Sequence, residues 1–249
     1  MTEAELDTPW NWKSSALVFG LVIGASVSIF AIIQLGMLLL TGWQFDFYTG
    51  VLIAPGSIAG VWIGTVITEL IILQITIIFA VYIFKGKMRH FNFKRPSKKH
   101  LLIAIGGAFA AYGLSILGGL LNYLITGDDP NQALYDALFQ TSEVYQVIIW
   151  IILMMCVVAP CEEIFARGFV QKGLQNSCKL KKISVFIGII IASLLFAVLH
   201  LDIYRIIPLF FVGIILGLVF YFTKDNSMAS TITHGLYNSL GILLFFLFP

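Results

Sequence analysis

The sequence predicts an all-α fold, a polytopic membrane helical bundle of about seven transmembrane helices. Three observations carry this. Of 249 residues, 59% are apolar and only 11% are charged, where an ordinary soluble domain carries roughly 25% charge. The apolar residues fall into separate runs of about 17 to 28 residues, the length needed to cross a hydrocarbon layer. The basic residues gather in the linkers between those runs. A water-soluble core could not hide this much apolar surface, whereas lipid can.

Taken in order, the spans are expected at 16–40, 57–84, 101–126, 147–171, 183–201, 206–222 and 228–248, each ended by charged or turn-forming residues. Residues 1–15 form an acidic cytoplasmic tail with Glu3, Glu5, Asp7 and one cation, Lys13. No small-residue cleavage site follows the first run, so a retained helix is expected rather than a signal peptide. Residues 16–126 hold three N-terminal membrane helices, and 147–248 hold a four-helix core. The segment 130–146 is expected to include a short interfacial helix, because ALYDALF has amphipathic spacing. Pro208 with Gly213 and Gly217 predicts a kinked, closely packed sixth helix. Trp10, Trp12, Trp43 and Tyr48 stand at span ends, as an aromatic belt requires. Cys156, Cys161 and Cys178 lie in or beside apolar segments, and an odd number implies packing rather than a disulfide framework.

Thirteen of the fifteen Lys and Arg residues sit in the N-terminal tail, the 85–100 linker, the linker after span four and Lys224. The opposite side carries Asp46, Asp128, Asp129, Asp136, Glu143 and Asp202, with Arg205 as its only cation. This asymmetry puts the N-terminus in the cytoplasm and the C-terminus outside, and a plasma-membrane location is expected. A net charge of +2, spread over loops rather than along one helix face, argues against a nucleic-acid partner. No internal repeat or soluble domain is visible.

An ionisable group inside a lipid-spanning helix costs about 2.5–3.5 kcal/mol on insertion scales, so each one needs a reason. The apolar runs contain Glu69, Glu162, Glu163, Arg167, His200 and His234, with Asn238 beside them. Glu163 and Arg167 are four residues apart in the order that favours an ion pair. Glu162 is rotated about 100° from Glu163 and lacks a local cation, the setting of a general acid or base. Phe196 with His200, and His234 with Asn238, share helix faces at four-residue spacing. The economical arrangement is one polar cavity in which these groups solvate one another. Glu69 reads equally as an accessory group of that cavity or as a helix contact.

Two chemistries fit this set. Glu162, His200 and His234 can form a zinc site with an open position for water. Alternatively Glu162, helped by His200, activates water while His234 and Asn238 stabilise an oxyanion. The H-E-x-x-H zinc motif is absent, and Asn238 has an evident task only in the second, so no cofactor is preferred and zinc stands as the alternative.

The ordered set EEIFAR (162–167), FAVLH (196–200) and HGLYN (234–238) resembles the E-E-x-x-x-R, F-x-x-x-H and H-x-x-x-N motifs of the CAAX-protease and bacteriocin-processing (CPBP) family of intramembrane endopeptidases. The resemblance covers about 147–248. It implies a catalytic core with Glu162, His200, His234 and Asn238 as catalytic residues and Glu163, Arg167 and Phe196 in support. It also implies hydrolysis of a peptide bond in a membrane-associated protein or peptide, CAAX-like or bacteriocin-like. Members have been described both as zinc enzymes and as metal-independent glutamate proteases. The expected partners are membrane lipid and a peptide or lipidated protein substrate; the sequence carries no signal for oligomeric state. Two other functions compete, a non-catalytic immunity or peptide-binding protein and a proton-coupled transporter, and against the latter no inverted repeat is apparent.

Helical rise puts His200 about 25 Å from the start of span five but His234 about 10 Å from the start of span seven. The two meet if the hairpin of spans four and five projects into the cytoplasm, the favoured reading, or if the span boundaries differ from those expected.

Overall fold

A computed structural model describes residues 8–41, 44–46, 51–53, 58–127, 143–177, 181–202 and 205–248. Seven helices run through these residues: α1 (Trp12–Thr41), α2 (Ile58–Ile77, extended by a π-helical turn, Ile78–Ile83), α3 (Lys98–Thr126), α4 (Val144–Gln175), α5 (Lys181–Leu199), α6 (Ile206–Phe222) and α7 (Ser227–Leu247). Each occupies one predicted apolar run, its bounds within four residues of the expected ones. Five of them, α1 to α4 and α7, are long and apolar enough to cross a membrane, and α5 and α6 are shorter apolar helices. The protein is an all-α integral membrane bundle. A short antiparallel pair, β1 (Gln44–Asp46) with β2 (Val51–Ile53), links α1 to α2.

The bundle is apolar outside and partly polar inside. Leu102, Leu124 and Ile125 are more than 70% exposed, whereas Glu163, Arg167, Gln171, Ser193 and Thr233 have no accessible surface. Lipid selects this inversion, because it solvates side-chain hydrocarbon and offers no partner to a polar group. Small residues let the inner helices touch. A Cβ at Gly213 would lie 2.9 Å from the Ser193 Cα, and one at Gly217 would lie 3.0 Å from the Ile189 and Gln171 side chains. Pro208 does not kink α6. It sits in the first turn, where a backbone N–H has no intrahelical acceptor and its loss is harmless, and it packs under Gly118 of α3.

Helix α4 is regular only in parts. Residues Met154–Val158 and Ile164–Gln171 are π-helical, and the turn between them, Ala159–Glu163, carries both glutamates. Pro160 explains the first irregularity: it has no N–H for the carbonyl one turn back, and its ring crowds that carbonyl, so the helix widens before it.

One end of the bundle gathers the linkers. Asn92 Nδ2 donates to the carbonyls of Lys224 and Asp225 at 3.0 and 2.7 Å, Lys172 Nζ donates to the His90 carbonyl at 2.9 Å, and the Ser227 hydroxyl donates to the Phe91 carbonyl. The first residue of α7, Ser227, is level with Gly168, since a Cβ on that glycine would meet both Phe91 and Ser227. From Gly168 the helix continues seven residues to Gln175, so α4 projects about 10 Å past the start of α7. That offset covers most of the depth mismatch between His200 and His234.

Trp10 is no belt residue. It is 1% exposed, its ring stacks on Phe169 with centroids 5.0 Å apart, and its Nε1–H donates to the Phe169 carbonyl at 3.0 Å. Trp12 is exposed, while Trp43 and Tyr48 lie outside the described residues. So do Glu3, Glu5, Asp7, Cys178 and most of the expected interfacial helix at 130–146, whose last residues instead begin α4 behind the Glu143 N-cap. Cys161 is buried and Cys156 exposed.

Trp10→Ala removes a fully buried aromatic together with its hydrogen bond, and should destabilise the detergent-solubilised protein by about 3–5 kcal/mol. A thermal unfolding scan reads this, with Trp10→Phe losing less. His90 gives a second expectation. Its Nδ1 accepts the Lys87 N–H at 3.1 Å, and burial, followed by Arg89, Lys172 and Lys87, holds the imidazole below its ordinary value. The folded chain therefore binds this proton more weakly than the unfolded chain, and stability is lost as pH falls from the ordinary value through the lower folded one. Acidification from about pH 7 to about pH 5 should lower the wild-type midpoint more than that of His90→Asn, whose carbonyl still accepts from Lys87.

Candidate active site

Four elements supply the polar groups: Glu69 comes from α2, Glu162, Glu163 and Arg167 from α4, Phe196 from α5 with His200 at its end, and His234 and Asn238 from α7. At the centre is Glu163. One carboxylate oxygen accepts the Arg167 Nε–H at 3.2 Å and the other the His234 Nδ1–H at 3.1 Å, while the nearby Ser230 hydroxyl donates to the Ser227 carbonyl at 3.1 Å. None of this touches solvent: Glu163 and Arg167 are 0% exposed and His234 is 2% exposed. The guanidinium carbon of Arg167 lies 5.1 Å from the Phe196 ring centroid, a cation–π contact, and that ring meets both imidazoles edge-on, at 4.9 Å for His200 and 5.6 Å for His234. Phe196 is thus the apolar floor on which the charged groups are arranged.

Tautomers follow from the partners. A carboxylate only accepts, so Nδ1 of His234 carries a proton, and its Nε2 points at Glu162 Oε2, 3.8 Å away. A backbone carbonyl likewise only accepts, so Nδ1 of His200, 2.9 Å from the Phe196 carbonyl oxygen, carries a proton as well. In the neutral ring each Nε2 keeps a lone pair. Glu162 Oε2 is buried and has no hydrogen-bond partner. Glu162, His200, His234, Asn238 and Phe196 all line one cavity of about 220 Å³.

The structure therefore brings Glu162, His200, His234 and Asn238 to one space, with Glu163 and Arg167 behind it. Asn238 Nδ2 makes only a weak contact there, to Met154 Sδ at 3.6 Å. Glu69 is 7% exposed and is an electrostatic neighbour of Glu162. The sequence flagged Glu69 without choosing its role; it is a neighbour of Glu162 and does not line the cavity. Thr65, Tyr112, Met154 and Tyr237 also line the space and were not singled out, because each is an ordinary residue for its helix; Arg205, named only for its charge, lines it too. Ser230 had a signal, lying four residues before His234 on the same face.

The donor types suit zinc, two imidazoles with free Nε2 and a carboxylate. In the arrangement present, however, no group of three or more His, Cys, Asp or Glu among the described residues converges as metal ligands would. The described residues as placed do not form a metal cage.

Residues 144–240 match the model of the family described as Type II CAAX prenyl endopeptidase Rce1-like. The match covers about two-fifths of the chain. The matched family is one of proteases, the same family to which the motifs are similar. All seven motif residues fall inside the Rce1-like segment, and Glu69 falls outside it. An uncharacterized protein of Mycoplasma capricolum subsp. capricolum is 31% identical over 159 residues, covering 59% of this chain and 45% of that protein. The chain thus spans less than half the length of this curated relative. No solved structure matches.

Removing one partner of the buried Arg167–Glu163 pair leaves an uncompensated charge. Arg167→Met should destabilise the fold by about 3–5 kcal/mol, read as the loss of a folded peak in size-exclusion of the detergent extract after mild heating. Arg167→Met combined with Glu163→Gln should recover part of that loss.

Proposed function

We propose that this chain is an intramembrane endopeptidase that hydrolyses a peptide bond of a membrane-associated protein or peptide with water activated by Glu162. The observation that carries this is the single cavity lined by Glu162, His200, His234 and Asn238. Its volume holds several waters and a bent stretch of peptide backbone, and hydrolysis needs both.

The roles follow from the geometry. Glu162 Oε2, buried and without a partner, takes the proton of the attacking water and passes it to the leaving amine. His200, with Nδ1 fixed on the Phe196 carbonyl, offers Nε2 as the second acceptor that orients that water. The developing oxyanion needs donors. Asn238 Nδ2 is free to turn from its weak sulfur contact, and His234 donates through Nε2 when the ring carries both protons, with the Glu163 carboxylate balancing its charge. Glu163, Arg167 and Phe196 hold these groups in place. Substrates presented from the membrane, CAAX-like lipidated proteins or bacteriocin-type peptides, suit a site enclosed by apolar helices. The gathering of basic linkers at one end supports a cytoplasmic N-terminus by the positive-inside rule, and a plasma-membrane location is part of the proposal.

The test uses the full chain in proteoliposomes with two internally quenched peptides, one farnesylated at a CAAX terminus and one of bacteriocin-leader type. Cleavage of either is expected. Glu162→Ala and His200→Ala should each reduce kcat at least about 100-fold, and Asn238→Ala about 10²-fold through lost oxyanion stabilisation. Cleavage that survives Glu162→Ala removes the proposed base. A zinc chelator should leave the rate unchanged; inhibition reversed by added zinc would replace this mechanism with the zinc one. Binding without product would assign the fold to a peptide-binding or immunity role.

A further inference from the structure

The basic end of the bundle is built as a surface, beyond the charge bias that orients membrane helices. Lys85, Lys87, Arg89, Lys94, Arg95, Lys98 and Lys99 are exposed on the 85–100 linker and the start of α3, and Lys224 is exposed on the α6–α7 turn. Lys224 is distant in sequence, yet it joins Lys94 and Lys99 as an electrostatic neighbour of His100. None of Lys94, Lys98, Lys99 and Lys224 has a carboxylate partner among the described residues. Uncompensated like charges repel, and neighbouring carboxylates would have relieved that.

The segment is also held rigidly where a linker of such composition would ordinarily be loose. Phe91 and Asn92 are 1% and 4% exposed, Asn92 takes a left-handed backbone with φ 49°, and its amide ties the linker to the carbonyls of Lys224 and Asp225. Between these anchors and the cations, two apolar side chains point outward, Met88 at 53% and Phe93 at 38% exposure. The linker joins the ends of two membrane-spanning helices, α2 and α3. Fixed cations flanked by exposed apolar side chains at the edge of the hydrocarbon match one chemical surface, a layer of anionic headgroups over acyl chains.

We propose that the surface formed by Lys94, Arg95, Lys98, Lys99 and Lys224, with Met88 and Phe93 inserted beside them, binds the headgroups of anionic phospholipids in the protein's own membrane. Because the linker is already ordered, binding immobilises little chain. Contact is by charge, so it weakens as salt screens it.

The full chain is purified in mild detergent and exchanged into nanodiscs of phosphatidylcholine with or without one-third phosphatidylglycerol, and retained lipid is counted by native mass spectrometry after release into detergent. The wild type should retain phosphatidylglycerol over phosphatidylcholine at least about fivefold above their input ratio, with the preference falling in high salt. Lys94→Gln, Arg95→Gln, Lys98→Gln, Lys99→Gln and Lys224→Gln combined should abolish the preference while keeping the thermal midpoint measured in phosphatidylcholine. Met88→Ser with Phe93→Ser should reduce retention without removing the salt dependence. Equal retention of both lipids by the wild type, or an undiminished preference in the five-site variant, would overturn the proposal. So would displacement of the lipid by millimolar inorganic phosphate, which would mark a site for free anions. Peptide cleavage is not measured, so the outcome is separate from that of the catalytic reading.

Discussion

The Glu163 carboxylate is the fixed point on which the polar interior is built. It is fully buried, and it survives there because Arg167 and His234 each place an N–H on a different oxygen. A lone carboxylate in that position would be prohibitively costly, and so would a lone guanidinium. The pair ties α4 to α7, and the face of Arg167 left over lies on Phe196 of α5. One anion thus sets the relative rotation of three helices. The imidazole of His234 is oriented as a by-product, with its other nitrogen turned to Glu162. Positioning and stability are here the same interaction, so a change that loosens the pair disturbs the cavity as well.

The irregular backbone of α4 is the second constraint. A straight α-helix cannot accept Pro160 in mid-span without an unsatisfied carbonyl, and in lipid no water is available to satisfy it. The π-helical stretches on either side absorb the misfit and leave the short turn Ala159–Glu163 with its own orientation. Both glutamates face inward on that turn, one toward the ion pair and one toward the cavity. The division of labour between two adjacent, chemically identical residues follows from rotation about the helix axis.

Much of this was legible in the sequence for physical reasons. All seven helices announced themselves because lipid demands long apolar runs, and those runs end where charges begin. Glu162, Glu163, Arg167, His200, His234 and Asn238 stood out because a polar group in such a run is expensive. What the sequence did not disclose concerns relations between helices. Trp10 looked like an interfacial aromatic because its position near a span end says nothing of Phe169 across the bundle. Pro208 looked like a kink because the start of its helix is a matter of one turn. Thr65, Met154 and Arg205 line the cavity by virtue of packing alone, and no spacing rule marks them. Glu69 was visible as an anomaly, but only the approach of α2 to α4 showed that its neighbour is Glu162.

The offset of the α4–α5 hairpin has a geometric outcome for anything that reacts in the cavity. Seven residues separate Ser227 from His234, so the imidazole lies about 10 Å from the basic rim. The space around it nevertheless runs the other way, along α7 to Asn238 and Ile242 and across to Arg205, while the buried residues Ala229, Ser230, Thr231 and Thr233 close the near side. A polypeptide would therefore meet the imidazoles from the Arg205 end or from between the helices, and any hydrophobic tail it carries can stay among the surrounding acyl chains.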